Sequence, residues 1–110
     1  ERAFLNTYGE IQEGYIPDDD GKYPKDNIGT YSTSVYTERK NCDKFINMLK
    51  KSVRPRKVYP FPVIIVGNTS NGLVQRTADR DVNYPDPTHV DWWLFSGKKG
   101  TVLSNFVLCE

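Results

Sequence analysis

The middle of the chain has the spacing of apolar residues that is typical of a helix. Four apolar residues recur at positions i, i+1, i+4 and i+8, which places Phe45, Ile46, Leu49 and Val53 on one side of a helix. Asn41 or Asp43 can cap the start of this helix, and Pro55 ends it. The spacing therefore predicts one central helix, with its lysines on the solvent side or near the last turn.

After this helix the apolar pattern becomes that of strands. Residues 61–66 form a continuous apolar run that ends at Gly67, and the run is short enough for a buried strand. Residues 68–72 predict a loop or hairpin turn, after which residues 73–77 return as the partner strand. Residues 79–88 contain two prolines and predict an irregular loop.

The C-terminal part predicts further strands. Residues 90–95 form the third strand, and residues 97–100 predict a tight turn. Residues 101–103 begin the next strand, and residues 106–109 close the sheet. One helix packed on a mainly antiparallel sheet of four or five strands is an α+β fold.

The N-terminal part is rich in tyrosine, glycine and aspartate. Residues 17–21 give a strong turn signal, and residues 11–16 and 29–36 flank this turn as two short strands that can pair. We expect a single domain over all 110 residues. In it, residues 1–40 form an N-terminal extension of strand and loop, and residues 41–110 carry the helix and the core sheet.

Length and composition limit the class of protein. A chain of 110 residues with 37% hydrophobic and 26% charged residues is typical of one globular domain. No apolar run approaches the roughly 20 residues of a membrane helix, so we expect no membrane contact. The start at Glu1-Arg2-Ala3 is polar and lacks a signal peptide, which is typical of a mature chain.

The net charge of +1 conceals one strongly basic segment. Residues 1–37 have three basic and seven acidic side chains, whereas residues 38–58 have eight basic and two acidic ones, a net charge of +6. Residues 59–110 have a net charge of −1. Such a segment is typical of the solvated face of a helix and the loop after it, and it also fits a phosphate-binding patch.

The two cysteines, Cys42 and Cys109, lie 67 positions apart. They cannot form a zinc site alone, because such a site needs about four Cys or His ligands and His89 is the only histidine. We therefore expect no metal and no cofactor. One interpretation of the cysteines is two unrelated buried thiols. We favour a disulfide, because closing a loop of that length stabilises a small domain by roughly 4 kcal/mol.

Several short motifs follow one another in residues 42–110. A cysteine precedes the helix, a Tyr-Pro pair follows it, an apolar strand ends in glycine, and Phe-Val-x-Cys closes the chain at residues 106–109. An aromatic pair, Trp92-Trp93, leads into a lysine-rich hairpin. The order and spacing of these motifs resemble the fungal guanyl-specific ribonuclease fold. The match is closer still to the ribonuclease-like secreted effectors of cereal powdery mildew fungi.

The resemblance implies a microbial ribonuclease-like fold without the family's catalysis. The fungal ribonucleases use a glutamate, two histidines, an arginine and a tyrosine, and one histidine directly follows the Tyr-Pro pair. Here Phe61 stands at that position, the strand after it contains no carboxylate, and residues 93–95 offer no second histidine. Tyr59 and either Arg76 or Arg80 could take the other two roles. We expect a pseudoenzyme, because cleavage needs a base, an acid and a cation together.

The resemblance further implies a virulence or avirulence effector that is secreted and acts inside the plant host cell, in the cytoplasm or the nucleus. Its expected partners are host proteins, host RNA or the ribosome, and an intracellular receptor of plant immunity that reads surface residues. Two alternatives stay open: an active secreted ribonuclease toxin, and a protein-binding module with no RNA contact. We expect the chain to be a monomer.

The residues that we expect to bind RNA or a partner protein are basic or aromatic. They are Lys50, Lys51, Arg54, Arg56, Lys57, Tyr59, Arg76, Arg80, Trp92, Lys98 and Lys99. Because neighbouring residues on a strand point to opposite faces, one of the two adjacent tryptophans belongs to the core and the other to the surface.

Two further positions have simpler interpretations. His89 stands alone beside a strand and is expected to be a histidine of a surface loop. Asn68-Thr69-Ser70 matches the acceptor sequence for N-glycosylation, and it is equally typical of a turn.

Overall fold

A computed structural model of the chain describes residues 4–19, 21–51 and 63–109. Its elements confirm the predicted α+β class with antiparallel strand pairing. In chain order they are α1 (Thr7–Gln12), a 3₁₀ helix (Ile28–Tyr31), β1 (Thr33–Tyr36), α2 (Arg39–Lys51), β2 (Ile65–Val66), β3 (Gly72–Arg76), α3 (Thr77–Arg80), β4 (His89–Leu94), α4 (Lys99–Leu103) and β5 (Val107–Leu108).

The larger sheet has β4 at its centre. The strand order is β1-β4-β3, and both pairings are antiparallel. Trp92 on β4 pairs with Thr33 on one side and with Val74 on the other. Four successive residues of β4, 89–92, are buried, so both faces of this strand are covered. A strand of this kind belongs inside a sheet and not at its edge.

The smaller sheet joins β2 to β5, and Cys109 extends it with a backbone bond of 2.8 Å from its N–H to the carbonyl of Ile64. The prediction that residues 73–77 pair with residues 61–66 is therefore wrong. β3 pairs with β4 over five positions instead, whereas β2 pairs with β5 over two. The longer pairing with the central strand outweighs the closeness of β2 and β3 along the chain.

The N-terminal part departs from the predicted pair of strands. Residues 29–36 do end in a strand, β1, but residues 11–16 do not form its partner, since α1 occupies residues up to Gln12. The side chain of Asn6 starts α1 by accepting a hydrogen bond of 2.6 Å from the N–H of Gly9. The predicted turn near residue 20 is confirmed at Asp19, whose carboxylate accepts from two following backbone N–H groups.

The predicted central helix is α2, and it begins at Arg39, two residues before the expected cap. Asn41 and Asp43 therefore lie inside the helix and do not cap it, and the side-chain amide of Asn41 donates to the carboxylate of Asp86 at 3.1 Å. No described residue of α2 is buried, and Phe45 on the predicted apolar stripe contacts the ring of Tyr36. The predicted end at Pro55 lies outside the described residues.

The segment after β4 is a helix, not the predicted strand. Gly97 turns the chain with a φ of +78°, and the N–H of Val102 then donates to the carbonyl of Lys98 at 3.1 Å, within the first turn of α4. This turn places Val102 in the core, where it is fully buried. Burial of one apolar side chain therefore outweighs the β-propensity of residues 101–103.

Three aromatic rings from distant parts of the chain form the core. The ring of Phe4 meets Trp92 and Phe106 edge-on, with centroid distances of 6.0 and 5.1 Å, and the rings of Trp92 and Phe106 stack at 5.8 Å. Ile65, on β2, packs against the same cluster. The core therefore ties both sheets to the N-terminal segment, which was predicted as an extension.

Within the described ranges, no helix is long and apolar enough to cross a membrane.

Candidate partner-binding surface and its buried polar cluster

A cluster of polar side chains is buried under the face of the larger sheet that lies opposite Trp92. Its centre is the carboxylate of Asp91, on β4, which is 3% exposed. Ser32 donates to one carboxylate oxygen at 2.7 Å, and Thr77 donates to the other at 2.9 Å. The guanidinium of Arg80, on α3, lies 2.8 Å from the same oxygen as Thr77. We call Ser32, Thr77, Arg80, His89 and Asp91 the polar cluster.

Counting protons assigns the tautomer of His89. Oγ1 of Thr77 lies 2.6 Å from Nδ1 of His89 and 2.9 Å from Oδ2 of Asp91. The hydroxyl has one proton, and a carboxylate beside Arg80 can only accept it. Oγ1 must then accept from Nδ1. When His89 is neutral, its one ring proton is therefore on Nδ1, and Nε2 has no proton. The chain of donors runs from His89 through Thr77 to Asp91.

His89 is buried on β4, contrary to the prediction of a surface loop histidine. It is 7% exposed, and the rings of Tyr36 and Tyr84 cover it at centroid distances of 5.3 and 4.9 Å. Burial lowers the pKa of His89, and the nearby carboxylates of Asp91 and Asp86 oppose this only in part. The surrounding fold therefore favours the neutral ring.

Asp86 anchors the loop that carries Tyr84 over His89. Its carboxylate accepts from the backbone N–H and the hydroxyl of Thr88, at 2.8 and 2.7 Å, and from the Asn41 amide. These hydrogen bonds, that of the Thr88 hydroxyl first, lower the pKa of Asp86. On the other side of His89, burial raises the pKa of Tyr36 to about 12, with Tyr84 and Asp86 adding to the effect. Burial raises the pKa of Tyr84 as well, so both tyrosines beside the imidazole stay neutral at physiological pH.

Arg80 connects the polar cluster to the surface. Its guanidinium lies over the ring of Trp93, 5.7 Å from the centroid, and donates to the side chain of Gln75 at 3.3 Å. It also passes close to the backbone of Gly29, where a Cβ would lie 2.7 Å from a guanidinium nitrogen. Glycine at position 29 therefore leaves the space that Arg80 needs to reach Asp91.

Above Arg80 lies an apolar patch, made of the exposed residues Tyr8, Ile28, Tyr31 and Leu73 and the half-buried Trp93. Leu73 pairs with Trp93 across β3 and β4, and the indole N–H of Trp93 donates to the carbonyl of Ile28 at 2.9 Å. Tyr31 ends the 3₁₀ helix of Ile28 and lies 5.3 Å from the ring of Tyr8. Leu73 is 65% exposed and Ile28 57%.

Tyr31 of the patch also lines an open cleft. The cleft has a volume of about 310 Å³ and lies between α1 and the end of β4. Phe4, Tyr31 and Phe95 are among the residues that line it. Exposed apolar and aromatic side chains beside a concave region are typical of a protein-binding site.

Those predicted basic residues that the structure describes do not form one surface. Arg76 pairs with the exposed Asp79 at 3.3 Å, and Arg80 pairs with buried Asp91, so carboxylates neutralise both arginines. Arg76 lies beside the start of β4, whereas Lys98 comes after the end of that strand. Lys50, on α2, borders a different groove, which is next to Cys109.

The other predicted basic residues add no described contact to this surface. Lys51 is exposed at the end of α2. Arg54, Arg56, Lys57 and Tyr59 lie outside the described residues, as does the side chain of Lys99.

Trp92, which we expected to bind RNA or a partner, is 0% exposed and packs in the core. Trp93 is the tryptophan at the surface, in agreement with the expectation that the two point to opposite faces. The choice between them depends on the register of β4 against β1 and β3, which a single strand pattern does not give.

Cys42 and Cys109 are both free thiols, so the predicted disulfide is not present in the structure. Burial raises the pKa of the Cys42 thiol, and the adjacent Asp43 adds to the effect. A raised pKa lowers the fraction of reactive thiolate.

In the parts of the chain that the structure covers, no three His, Cys, Asp or Glu side chains come together in a way that could hold a metal ion. Comparison of the chain with protein-family models, with curated proteins and with solved structures gives no match.

The polar cluster was not predicted, although part of it left a signal in the sequence. His89, Asp91 and Trp93 alternate along one strand and must share a face. Ser32 and Thr77 left no signal, because serine and threonine are frequent in turns and at strand ends and nothing in their neighbourhood points to a common carboxylate.

Proposed function

We propose that this chain is a secreted fungal effector with a non-catalytic, ribonuclease-like fold, and that it acts inside plant host cells by binding a host protein. The proposal that the fold is non-catalytic rests on the burial of His89 and Asp91. His89 is the only histidine of the chain, and both residues are hydrogen-bonded into the fold. A general acid or base has to reach the reacting group, which neither side chain does in this arrangement.

The exposed apolar patch supports binding to a protein. Three of its members are aromatic, and large aromatic side chains are enriched where proteins bind one another. Hydrogen bonds from Trp93 to Ile28 and from Asn6 to Tyr31 hold the patch in place, so binding costs little ordering of the surface. An intracellular immune receptor of the plant would read the same kind of exposed residue.

RNA or ribosome binding is the second candidate function, and one observation favours it. Residues 38–58 have a net charge of +6, and clustered lysine and arginine bind phosphates. Against it, Arg76 and Arg80 are neutralised by Asp79 and Asp91. We therefore rank protein binding first.

The first experiment shows whether the chain cleaves RNA, binds RNA without cleaving it, or does neither. Purified chain is mixed with labelled structured RNA over a salt series, and a gel is read for cleavage and for mobility shift. We expect no cleavage. Cleavage products that vanish in an Arg80→Ala variant would instead identify an active ribonuclease toxin. A salt-sensitive shift that is lost when Arg54, Arg56 and Lys57 are all replaced by Glu would move RNA binding to first place.

The second experiment tests the effector role and the patch together. Fungal growth on host leaves is measured after silencing of the chain's gene and after its replacement by variants. We expect wild type to restore growth and a Leu73→Lys, Ile28→Lys double variant to fail, because charge in the patch opposes apolar contact. Val82→Lys is the matched control, since Val82 is 87% exposed and lies outside the patch. Equal restoration by all three chains would remove the patch from the proposal.

A further inference from the structure

The loop between β2 and β3 is anchored at both ends. At its start, a Cβ on Gly67 would lie 2.7 Å from the carbonyl of Asn105 and 2.8 Å from the ring of Phe106, so the backbone packs closely there. At its end, the carbonyl of Asn71 accepts a hydrogen bond of 2.7 Å from the N–H of Phe95. Asn71 itself has a φ of +54°, which turns the chain into β3.

Between these anchors the side chain of Asn68 is exposed and has no hydrogen bond to another described residue. Residues 67–70 belong to neither helix nor strand. The hydroxyl oxygen of Ser70 accepts only a long bond of 3.3 Å from the side chain of Asn71, so its own proton is not used in that contact. The segment therefore presents an asparagine amide and a hydroxyl two residues later on an accessible loop.

We propose that Asn68 is modified by an N-linked oligosaccharide when the chain passes through the secretory pathway. The sequence Asn68-Thr69-Ser70 is the one place in the chain with asparagine followed two residues later by serine or threonine, and Thr69 is not proline. A match of this kind has meaning only on a surface loop, and the structure places Asn68 on one. The inference rests on the proposed function in one respect, namely secretion.

The transfer uses a lipid-linked oligosaccharyl pyrophosphate as donor. Nδ2 of Asn68 forms a bond to the anomeric carbon of the first sugar, and the bond from that carbon to the pyrophosphate oxygen breaks. The amide loses one proton, and the lipid pyrophosphate leaves. No atom is oxidised or reduced. The Ser70 hydroxyl is required for recognition of the acceptor and is not consumed.

The attached sugar fits the surroundings of Asn68. Asn68 is exposed, and Gly67 keeps its close contacts through the backbone, which the sugar does not alter. Asn68 lies between β2, which ends two residues earlier at Val66, and the edge strand β3, which starts four residues later at Gly72. A sugar on Asn68 therefore extends into solvent beside this edge.

The test is expression of the whole chain behind a secretion signal in a fungal host, followed by peptide mass spectrometry with and without peptide N-glycosidase. We expect the peptide that contains Asn68 to carry hexose-rich sugar and to be released with Asp at position 68. The Ser70→Ala variant loses the sugar completely, and Ser70→Thr, which restores the hydroxyl, keeps it. Asn105→Gln is the matched control, because Asn105 is exposed and lies outside any acceptor sequence.

Two outcomes separate this inference from the effector proposal. Secreted wild-type chain with unmodified Asn68 overturns the inference and leaves the effector proposal intact. Glycosylated chain that does not support fungal growth on leaves upholds the inference and overturns the effector proposal.

Discussion

The guanidinium of Arg80 lies 2.8 Å from the carboxylate of Asp91, and the Asp91 side chain is buried while the Arg80 side chain is one-quarter exposed. This ion pair joins α3 to the central strand of the sheet. Its carboxylate also accepts hydrogen bonds from Ser32 and from Thr77, which like Arg80 belongs to α3, so the charge of Asp91 is compensated from two separate parts of the chain. A change at Asp91 therefore affects Ser32, Thr77 and Arg80 together.

Replacement of Asp91 by Asn is expected to lower the free energy of unfolding by about 3 kcal/mol, because it leaves a partly buried guanidinium without its counter-charge. Urea denaturation measures the loss. Asp79→Asn is the matched control: Asp79 pairs with Arg76 on the exposed surface, and we expect a change below about 1 kcal/mol. Equal losses in the two variants would contradict a special role for Asp91.

The stability of the chain is expected to fall between pH 7 and pH 5. Burial lowers the pKa of folded His89, whereas unfolded histidine keeps a value of about 6.5. The unfolded chain therefore takes up the proton first, and stability that is complete above the unfolded pKa is lost as the pH decreases below it. The slope is at most about 1.4 kcal/mol per pH unit.

Urea denaturation at several pH values measures this slope. Because His89 is the only histidine, a His89→Gln variant should show no slope in this window. The hydrogen-bonded Asp86 titrates at lower pH, since its pKa is also lowered. A flat profile for wild type would contradict the buried, neutral His89.

Gly72→Ala is expected to destabilise the chain by about 1–3 kcal/mol, because the added methyl would press on the backbone of Trp93 and lie 2.9 Å from the indole nitrogen of Trp92. Thermal unfolding measures the change. Gly100→Ala is the control, since nothing lies within 4 Å of a Cβ at that position. We expect this control to be neutral or slightly stabilising, as alanine favours helix. A neutral Gly72→Ala would contradict the close packing of β3 on β4.

Titration with a thiol reagent is expected to find two free thiols in each denatured chain, without prior reduction, since both cysteines are unpaired. In the folded chain Cys42 should react more slowly than free cysteine at the same pH, because its pKa is raised. A Cys42→Ser variant separates its rate from that of Cys109. A count of zero before reduction would restore the disulfide that the sequence predicts.

The sequence predicts local features of the fold well. The position of α2 follows from the spacing of Phe45, Ile46 and Leu49, and the strand at His89–Leu94 follows from its apolar run. Both depend on contacts between residues that are close along the chain, where periodicity is informative. The turn at Asp19 is predictable for the same reason, since an aspartate side chain bonds backbone groups two or three residues later.

Strand pairing and the candidate site are not predictable in the same way. The partner of β3 is decided by the two covered faces of β4, and the partner of β2 by the position of Phe106 against Gly67. The choice of Trp92 for the core and Trp93 for the patch depends on that pairing. The polar cluster joins residues as far apart as Ser32 and Asp91, which are 59 positions apart, and no local pattern connects them.

The separation between the polar cluster and the apolar patch has a consequence for evolution. Leu73 and Ile28 contribute exposed side chains that the fold does not need, whereas a change at Asp91 disturbs its contacts with Ser32, Thr77 and Arg80 together. Single substitutions that keep the patch apolar can therefore alter the outer face of the chain while its interior stays fixed. Natural variants of this chain should differ at the patch long before they differ at the carboxylate beneath it.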